Sequence, residues 1–189
     1  MQKISLISKE EFSTSNWGGG CTTQLFLYPA EASYAKRNFQ LRLSTATVNQ
    51  SPSTFTSLPG YRRILMPLNA PLKLAFTGQG EAELNPFEVA KFAGEWLTVS
   101  YGRCTDIGLM LADGWDGKMQ AVSKSGQYQF TAGFTALYAL NDEVKAFVLG
   151  QKYILEQGDL LLLEIDSLDN FKLIMPKENS VILVQMFKK

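Results

Sequence analysis

Short apolar or alternating runs separated by turn residues are the feature that most restricts how this chain can fold. Gly, Pro, Asn and Asp interrupt the sequence at regular intervals, and no amphipathic helical pattern continues over several turns. The best helix candidate, residues 29–36, is short. Runs typical of strands are residues 39–44, 72–76, 145–149 and 181–184. Regular short strands with turns between them predict an all-β sandwich or barrel.

A weak internal repeat relates the first part of the chain to the second. Residues 64–76 and residues 137–149 share the order of apolar run, turn and second run. The offset between matching pieces is roughly 70–75 residues, which favours a repeated structural unit. We therefore expect two halves, residues 1–118 and 119–189, each with about six short strands. The alternative, that any all-β chain looks self-similar at some offset, stays open.

The composition is that of a globular protein and argues against several kinds of partner. Hydrophobic residues make up 46% and charged residues 19%, which is not a disordered balance. The formal net charge is zero, so the basic excess of a nucleic-acid-binding protein is missing. The most apolar run, residues 160–163, is far too short to span a bilayer. We expect neither a nucleic acid nor a membrane as partner.

The cysteines and the N-terminus predict a cytoplasmic protein. Cys21 and Cys104 are too few for a secreted disulfide scaffold, so we interpret both as free thiols in a reducing compartment. No long apolar stretch follows Lys3, which argues against a signal peptide.

The chain contains no histidine, which excludes several common kinds of catalytic and metal-binding site. A Ser-His-Asp or Cys-His pair cannot form, and neither can a zinc or iron site that needs imidazole ligands. Any general acid or base would be a carboxylate, tyrosine, lysine or cysteine. We expect no metal ion and no cofactor.

A glycine-rich segment beside a tryptophan is the first candidate for a site. Three glycines follow Trp17, and Thr22 and Gln24 come after them. Glycines allow a ligand to approach the backbone closely, and a large aromatic ring suits a pocket wall. No Gly-Lys-Ser/Thr follows, so the segment is not a Walker-type phosphate loop. The alternative is a bulged start of a strand, with Trp17 in the core.

Two strand segments bring in arginines. In residues 41–46, strand alternation places Arg42 and Ser44 on one face and leucines on the other, so the arginine faces either solvent or a polar interior. Arg62 and Arg63 are adjacent on a strand, so one of them could point inward and hold a carboxylate with its guanidinium group. Surface arginines are common, so this adjacent pair alone does not show that either arginine binds a ligand.

An aspartate within a strand-like segment is the last candidate. Asp is disfavoured in strands, so Asp106 either binds a ligand donor or caps a turn. Cys104 has the same parity along the strand and could lie on the same face. A catalytic thiolate there would need a nearby cation in place of histidine.

Together these segments resemble the HutD/Ves family of bicupin-like proteins, over about residues 12–110. The second half agrees only in its strand pattern. The chain differs from many members after Thr22, with Thr-Gln in place of Arg-Glu, and after Asp106, with Ile-Gly in place of Phe-Asn. The residues that carry the resemblance are Trp17 with Gly18, Gly19, Gly20 and Thr22; Arg42 with Ser44 and Ala46; Phe55 with Leu58, Pro59, Gly60 and Arg63; and Gly102 with Asp106 and Met110.

The resemblance implies a duplicated cupin fold (a double-stranded β-helix or RmlC-like jelly roll) with two barrels packed together. It also implies a small-molecule-responsive regulator, linked in some relatives to histidine utilisation, and not an established enzyme. A small carboxylate or amino-acid catabolite, such as formylglutamate or urocanate, would suit an arginine-lined pocket. The expected ligand-binding residues are Trp17, Gly19, Gly20, Thr22, Gln24, Arg42, Ser44, Arg63 and Asp106.

Two alternatives to a binding protein remain at this point. One is a metal-independent cupin enzyme, an isomerase or hydrolase, that uses Asp106 or a tyrosine as acid or base. The other is a structural interaction module, because edge strands of such barrels often pair, and a homodimer is then expected.

Overall fold

The fold is built from β-strands, as the turn-punctuated sequence predicts. The computed structural model describes residues 2–167 and 169–189. These residues contain strands and one short 3-10 turn, Lys9–Glu11, and no α-helix. The helix candidate at residues 29–36 was wrong, because this segment forms turns and bends. The strands are β1 (Lys3–Ile7), β2 (Ser13–Trp17), β3 (Gly20–Tyr28), β4 (Leu41–Val48), β5 (Ser53–Thr54), β6 (Tyr61–Pro67), β7 (Leu72–Phe76), β8 (Gly80–Leu84), β9 (Ala90–Ala93), β10 (Thr98–Tyr101), β11 (Cys104–Ala112), β12 (Trp115–Ala121), β13 (Gly126–Phe130), β14 (Gly133–Ala139), β15 (Val144–Val148), β16 (Gln151–Leu155), β17 (Leu160–Ile165), β18 (Asp169–Ile174) and β19 (Val181–Lys188).

The chain divides into two compact units. The continuous unit is Ser13–Trp115, and the discontinuous unit combines Met1–Phe12 with Asp116–Lys189. The division near residue 116 lies close to the expected boundary at 118. The expected halves did not foresee that β1 pairs antiparallel with β17 and so joins the discontinuous unit.

The continuous unit consists of two sheets around an apolar core. Its six-stranded sheet has the order β2-β3-β4-β11-β6-β9, and its four-stranded sheet has the order β5-β10-β7-β8. A cluster of buried side chains from both sheets fills part of the space between them. Its members are Leu65, Leu72, Leu74, Phe76, Leu84, Ala90, Phe92 and Cys104.

The discontinuous unit has a five-stranded sheet, β1-β17-β14-β19-β12, and a four-stranded sheet, β13-β18-β15-β16. Alternating apolar residues of both sheets form its core, and Phe130 and Phe171 stack with ring centroids 5.5 Å apart. In the part of the chain that the structure describes, none of the four sheets closes on itself.

The two units share a strand order. The run β4-β11-β6-β9 in one corresponds to β12-β19-β14-β17 in the other, and β5-β10-β7-β8 corresponds to β13-β18-β15-β16. Strands β14–β18 begin 70 to 72 residues after β6–β10; for example, Gly133 and Tyr61 differ by 72 positions, and Asp169 and Thr98 by 71. The strand starts therefore recur within the offset expected from the sequence. Across the described ranges, no helix has the length and apolar character to cross a membrane.

Candidate functional site

The six-stranded sheet of the continuous unit sets candidate residues in rows that run across its strands. Strand β11 pairs antiparallel with β4 on one side and with β6 on the other. Residues of the same parity on a strand face the same side of a sheet, so alternate rows point to one face. Written across β4, β11 and β6, three such rows are Arg42–Met110–Arg63, Ser44–Gly108–Leu65 and Ala46–Asp106–Pro67.

A cavity of about 400 Å³ opens on this face of the sheet. Its wall also includes Ser53–Thr54 of β5 in the other sheet and the Phe55 and Thr56 residues that follow. Six of the nine candidate residues line it, namely Trp17, Thr22, Arg42, Ser44, Arg63 and Asp106. The other three, Gly19, Gly20 and Gln24, are not among the lining residues.

Arg42 lies inside the cavity wall and is only 7% exposed, so its face of β4 is an interior face and not a solvent face. Its Nε donates to Gln24 Oε1 over 3.3 Å, and one terminal nitrogen donates to Ser44 Oγ over 3.3 Å. The guanidinium carbon lies 4.3 Å from the centre of the Tyr34 ring. Burial lowers the pKa of Arg42. Gln24 therefore belongs to the site through Arg42, although it does not line the cavity.

Arg63 enters the cavity from β6 and is 8% exposed. It donates one hydrogen bond to the carbonyl oxygen of Thr56, and its guanidinium carbon lies 5.4 Å from the Phe55 ring centre. Its Nε is enclosed and has no hydrogen-bond partner. Burial is the main cause that lowers the pKa of Arg63, and the positive charge of Arg42 adds to it. Arg62, as alternation predicts, turns elsewhere and donates to the carbonyl of Trp115.

Neither cavity arginine has an acidic partner in the part of the chain that the structure describes. Within residues 2–167 and 169–189, no ion pair includes Arg42 or Arg63. Buried charges are costly unless they are paired, and two guanidinium groups in one cavity also repel each other. The cavity therefore has a positive end that an anion would stabilise.

Asp106 lies two rows away from the arginines and is 5% exposed. No hydrogen bond or ion pair of its carboxyl group exists within the described part of the chain. Burial raises the pKa of Asp106 from 3.8 to about 7. Burial and the charge of Asp106 raise the pKa of Cys104 to about 11, which does not suit a thiolate nucleophile.

Between these two ends, the floor of the cavity includes the small residues Ser44 and Gly108, beside Leu65. Gly108 stands in the row between the arginines and Asp106. A Cβ added to Gly108 would meet nothing within 4 Å, and its φ is not in the left-handed region. The glycine is therefore not required by the backbone, and the missing side chain leaves room for a ligand.

The glycine-rich segment serves the fold more than the cavity. Gly18 and Gly19 form the turn between β2 and β3. A Cβ on Gly19 would lie 2.4 Å from the Trp17 ring, and one on Gly20 would lie 1.9 Å from the Thr47 carbonyl oxygen. At these contacts Gly19 and Gly20, both predicted to bind the ligand, allow close packing of the hairpin.

Trp17 lies at the edge of the cavity and not in the core. It is 40% exposed, and its Nε1 donates to Thr22 Oγ1 over 3.1 Å. Both residues line the cavity. The alternative interpretation, a buried tryptophan at a bulged strand start, was therefore wrong.

Sequence reasoning missed three residues that support the arginines: Tyr34, Phe55 and Thr56. Tyr34 lies in the turn segment where we expected a helix, so no strand pattern marked it. Phe55 belongs to the motif that suggested the family, and that motif could have found it. Across the ranges that the structure describes, no three His, Cys, Asp or Glu side chains come together as a metal site would require.

Comparisons with known proteins agree with the sequence resemblance. A family model described as HutD matches residues 9–182. The structure of HutD from Pseudomonas fluorescens SBW25 superposes with a TM-score of 0.80 at 22% identity, covering 99% of this chain and 100% of that one. A conserved protein of unknown function from Pseudomonas aeruginosa PAO1 gives 0.83 at 22% identity, covering 97% and 98%.

A more distant structure shares the fold. A cupin 2 conserved barrel domain protein from Leptotrichia buccalis superposes with a TM-score of 0.57 at 12% identity, covering 98% of this chain and 96% of that one. No curated protein matches the sequence. Because the family model spans most of the chain, the resemblance is confirmed: this all-β, cupin-like chain belongs to the HutD family.

Proposed function

We propose that this protein binds a small carboxylate in the cavity of its continuous unit and acts as a ligand-responsive binding or regulatory protein. The observation that carries the proposal is the presence of two buried guanidinium groups without a carboxylate partner among the described residues, one of which has an unsatisfied Nε. Removing an ion from water without a partner costs several kcal/mol. A bound carboxylate would offset that cost at both arginines.

The donor chemistry favours a carboxylate over a neutral ligand. A guanidinium group presents planar N–H donors that match the two oxygens of a carboxylate. Tyr34 and Phe55 lie against the two guanidinium groups, and Gln24, Ser44 and Thr56 accept hydrogen bonds from them. These contacts hold the arginines in place before a ligand arrives, which reduces the entropy lost on binding. The cavity volume of about 400 Å³ suits a small metabolite.

The family suggests which carboxylates to test first. A link to histidine utilisation would make urocanate and formylglutamate candidates, and both carry carboxylate groups. The HutD structure from Pseudomonas fluorescens is of a formate condition, and formate is the smallest carboxylate. Formate, urocanate and formylglutamate are therefore the first ligands to test.

The test is a thermal-shift screen with formate, acetate, glutarate, urocanate and formylglutamate, each with and without divalent metal ions. A ligand at a hundred times its Kd adds about 2.7 kcal/mol to the free energy of unfolding, which is easily detected. We expect a metal-independent shift with at least one carboxylate. A shift that required metal would contradict the proposed mode of binding, because it assigns no role to a metal ion.

Three arginine variants make the screen specific to this cavity. Arg42→Gln and Arg63→Gln should each lose the ligand-induced shift. Arg62→Gln is the matched control, because Arg62 is adjacent to Arg63 and points away from the cavity. Gly108→Val should also abolish binding, because the valine side chain would occupy the space above the cavity floor. A Cβ at this position meets no atom within 4 Å, so the substitution should not disturb the packing. Equal binding by wild type, Arg42→Gln and Arg63→Gln would remove this cavity as the carboxylate site.

We also propose that the two units descend from one duplicated cupin barrel. The support is the shared order of eight strands and the offset of 70 to 72 residues between five strand starts. A random all-β chain is not expected to repeat both strand order and spacing.

A second candidate function is metal-independent catalysis with Asp106 as general acid or base. The specific observation in its favour is a buried carboxyl group whose pKa is raised to about 7, close to the value that suits proton transfer at neutral pH. Turnover of a small acid that disappears in Asp106→Asn would support it. Binding without turnover in the wild-type protein would favour the binding function.

A further inference from the structure

Asp106 is the one charged group of the cavity that a simple carboxylate ligand does not explain. It lies four positions along β11 from Met110, which pairs with both Arg42 and Arg63. At about 3.3 Å per strand residue, the Cα atoms of the two rows are about 13 Å apart. The cavity therefore has a cationic end and a carboxyl end, joined by the small floor at Ser44 and Gly108.

The surroundings of Asp106 leave its carboxyl group free for a ligand. Within the described ranges, none of the protein's hydrogen bonds or ion pairs reaches this group, and its side chain is 95% buried on the cavity wall. An ionised carboxylate only accepts hydrogen bonds, so its natural partner is an N–H or O–H donor.

Among the described residues that line the cavity, the cations are Arg42 and Arg63, and both lie at its other end. Among the described residues of its row and its strand face, the other titratable group is the thiol of Cys104, and the arginines stand two rows away. The residues that share its row or its strand face are Ser15 of β2, Thr22 of β3, Ala46 of β4, Pro67 of β6 and Cys104 of β11.

We propose that Asp106 forms a second subsite, which binds a cationic or N–H donor group at the end of the ligand opposite its carboxylate. This inference rests on the proposed carboxylate function and specifies the ligand class. The ligand is a small elongated molecule whose carboxylate lies between the arginines and whose amino or other N–H group contacts Asp106. Arg42 and Arg63 then select for an acid, and Asp106 selects among acids.

The experiment measures affinities by titration calorimetry at pH 8 for two matched probe series. The first series is butanoate, pentanoate and hexanoate, and the second is 4-aminobutanoate, 5-aminopentanoate and 6-aminohexanoate. Each pair differs only in the terminal ammonium group, and the three lengths sample the spacing between the subsites. For the best-fitting length, we expect the amino acid to bind at least about tenfold more tightly than the plain acid, as a charge-assisted hydrogen bond allows.

Asp106→Asn provides the control with nearly unchanged shape. In this variant the ammonium group loses its counter-ion, so the preference for the amino acid should fall to about one or below. The ratio of two affinities within one protein cancels a general loss of affinity, and the melting curve reports whether the variant is folded. In the wild type the preference should also grow from pH 6 to pH 8, as Asp106 ionises.

The outcomes separate the two proposals. If both series bind equally well to the wild type, or if Asp106→Asn keeps the preference, the Asp106 subsite is refuted and the carboxylate function stands. If no member of either series binds, the subsite as proposed is refuted, and the thermal-shift screen decides the carboxylate function separately.

Discussion

The substitution Asp106→Asn should stabilise the continuous unit at neutral and alkaline pH, although it removes a polar interaction site. The carboxyl group is nearly fully buried and has no partner among the described residues, so its ionised form is disfavoured in the folded protein. Asparagine keeps the shape and does not ionise. Folding would then no longer require that a negative charge be buried or a proton be bound.

The magnitude follows from the pKa shift. Burial raises the pKa of Asp106 from 3.8 to about 7, a difference of about 3 units, and each unit corresponds to about 1.36 kcal/mol. Between these two values the folded protein binds more protons than the unfolded chain, so stability falls as the pH rises from about 4 to about 7. Above pH 7 the full cost of about 4 kcal/mol is present in the wild type and absent in the variant.

The assay is urea denaturation from pH 4.5 to pH 8.5, followed by tryptophan fluorescence. All three tryptophans, Trp17, Trp96 and Trp115, lie in the continuous unit, so the signal reports the unfolding of that unit. Asp113→Asn, at an exposed turn after β11, is the control for the loss of one negative charge. The reasoning is refuted if the stability difference between wild type and Asp106→Asn does not change across this pH range.

Two further predictions concern packing and thiol chemistry. Gly20→Ala should lower the free energy of unfolding by about 2 kcal/mol or more, because its Cβ would collide with the Thr47 carbonyl, whereas Gly18→Ala should change it by less than about 0.5 kcal/mol; equal urea midpoints for the two variants would contradict this. Iodoacetamide at pH 8 should modify Cys21 before Cys104, because Cys104 is buried and its pKa is raised to about 11. Mass spectrometry of the native protein checks this order. Equal rates of modification at the two cysteines would contradict the conclusion that the Cys104 thiol is buried and protonated.

The period of two along the strands was enough to predict which side chains share a face. It placed Arg42 with Ser44, and it required Arg62 and Arg63 to diverge, and the structure has both arrangements. The same pattern could not decide between solvent and cavity for Arg42. Whether Arg42 faces solvent or the cavity depends on how the four-stranded sheet covers its side of the six-stranded sheet. The residues next to Arg42 in sequence do not determine this arrangement.

The aromatic residues beside the arginines were harder to predict for a different reason. Tyr34 lies in an irregular segment between β3 and β4, where neither a strand nor a helix period applies. Its place beside Arg42 results from the path of a loop, and loop paths depend on contacts that are distant in sequence. The pairing of β1 with β17 is a still more distant contact, whereas the expected half of residues 1–118 grouped β1 with the strands that follow it in sequence.

The pairing of β1 with β17 also has a consequence for the order of synthesis. Strand β1 leaves the ribosome first, but its hydrogen-bonding partner ends at Ile165. At about 5–20 residues per second, β1 waits about 8–30 s for that partner. The residues of the continuous unit all emerge within this interval, so this unit can fold while the discontinuous one is still incomplete. We therefore expect the ligand cavity to form on the nascent chain before the last sheet is finished.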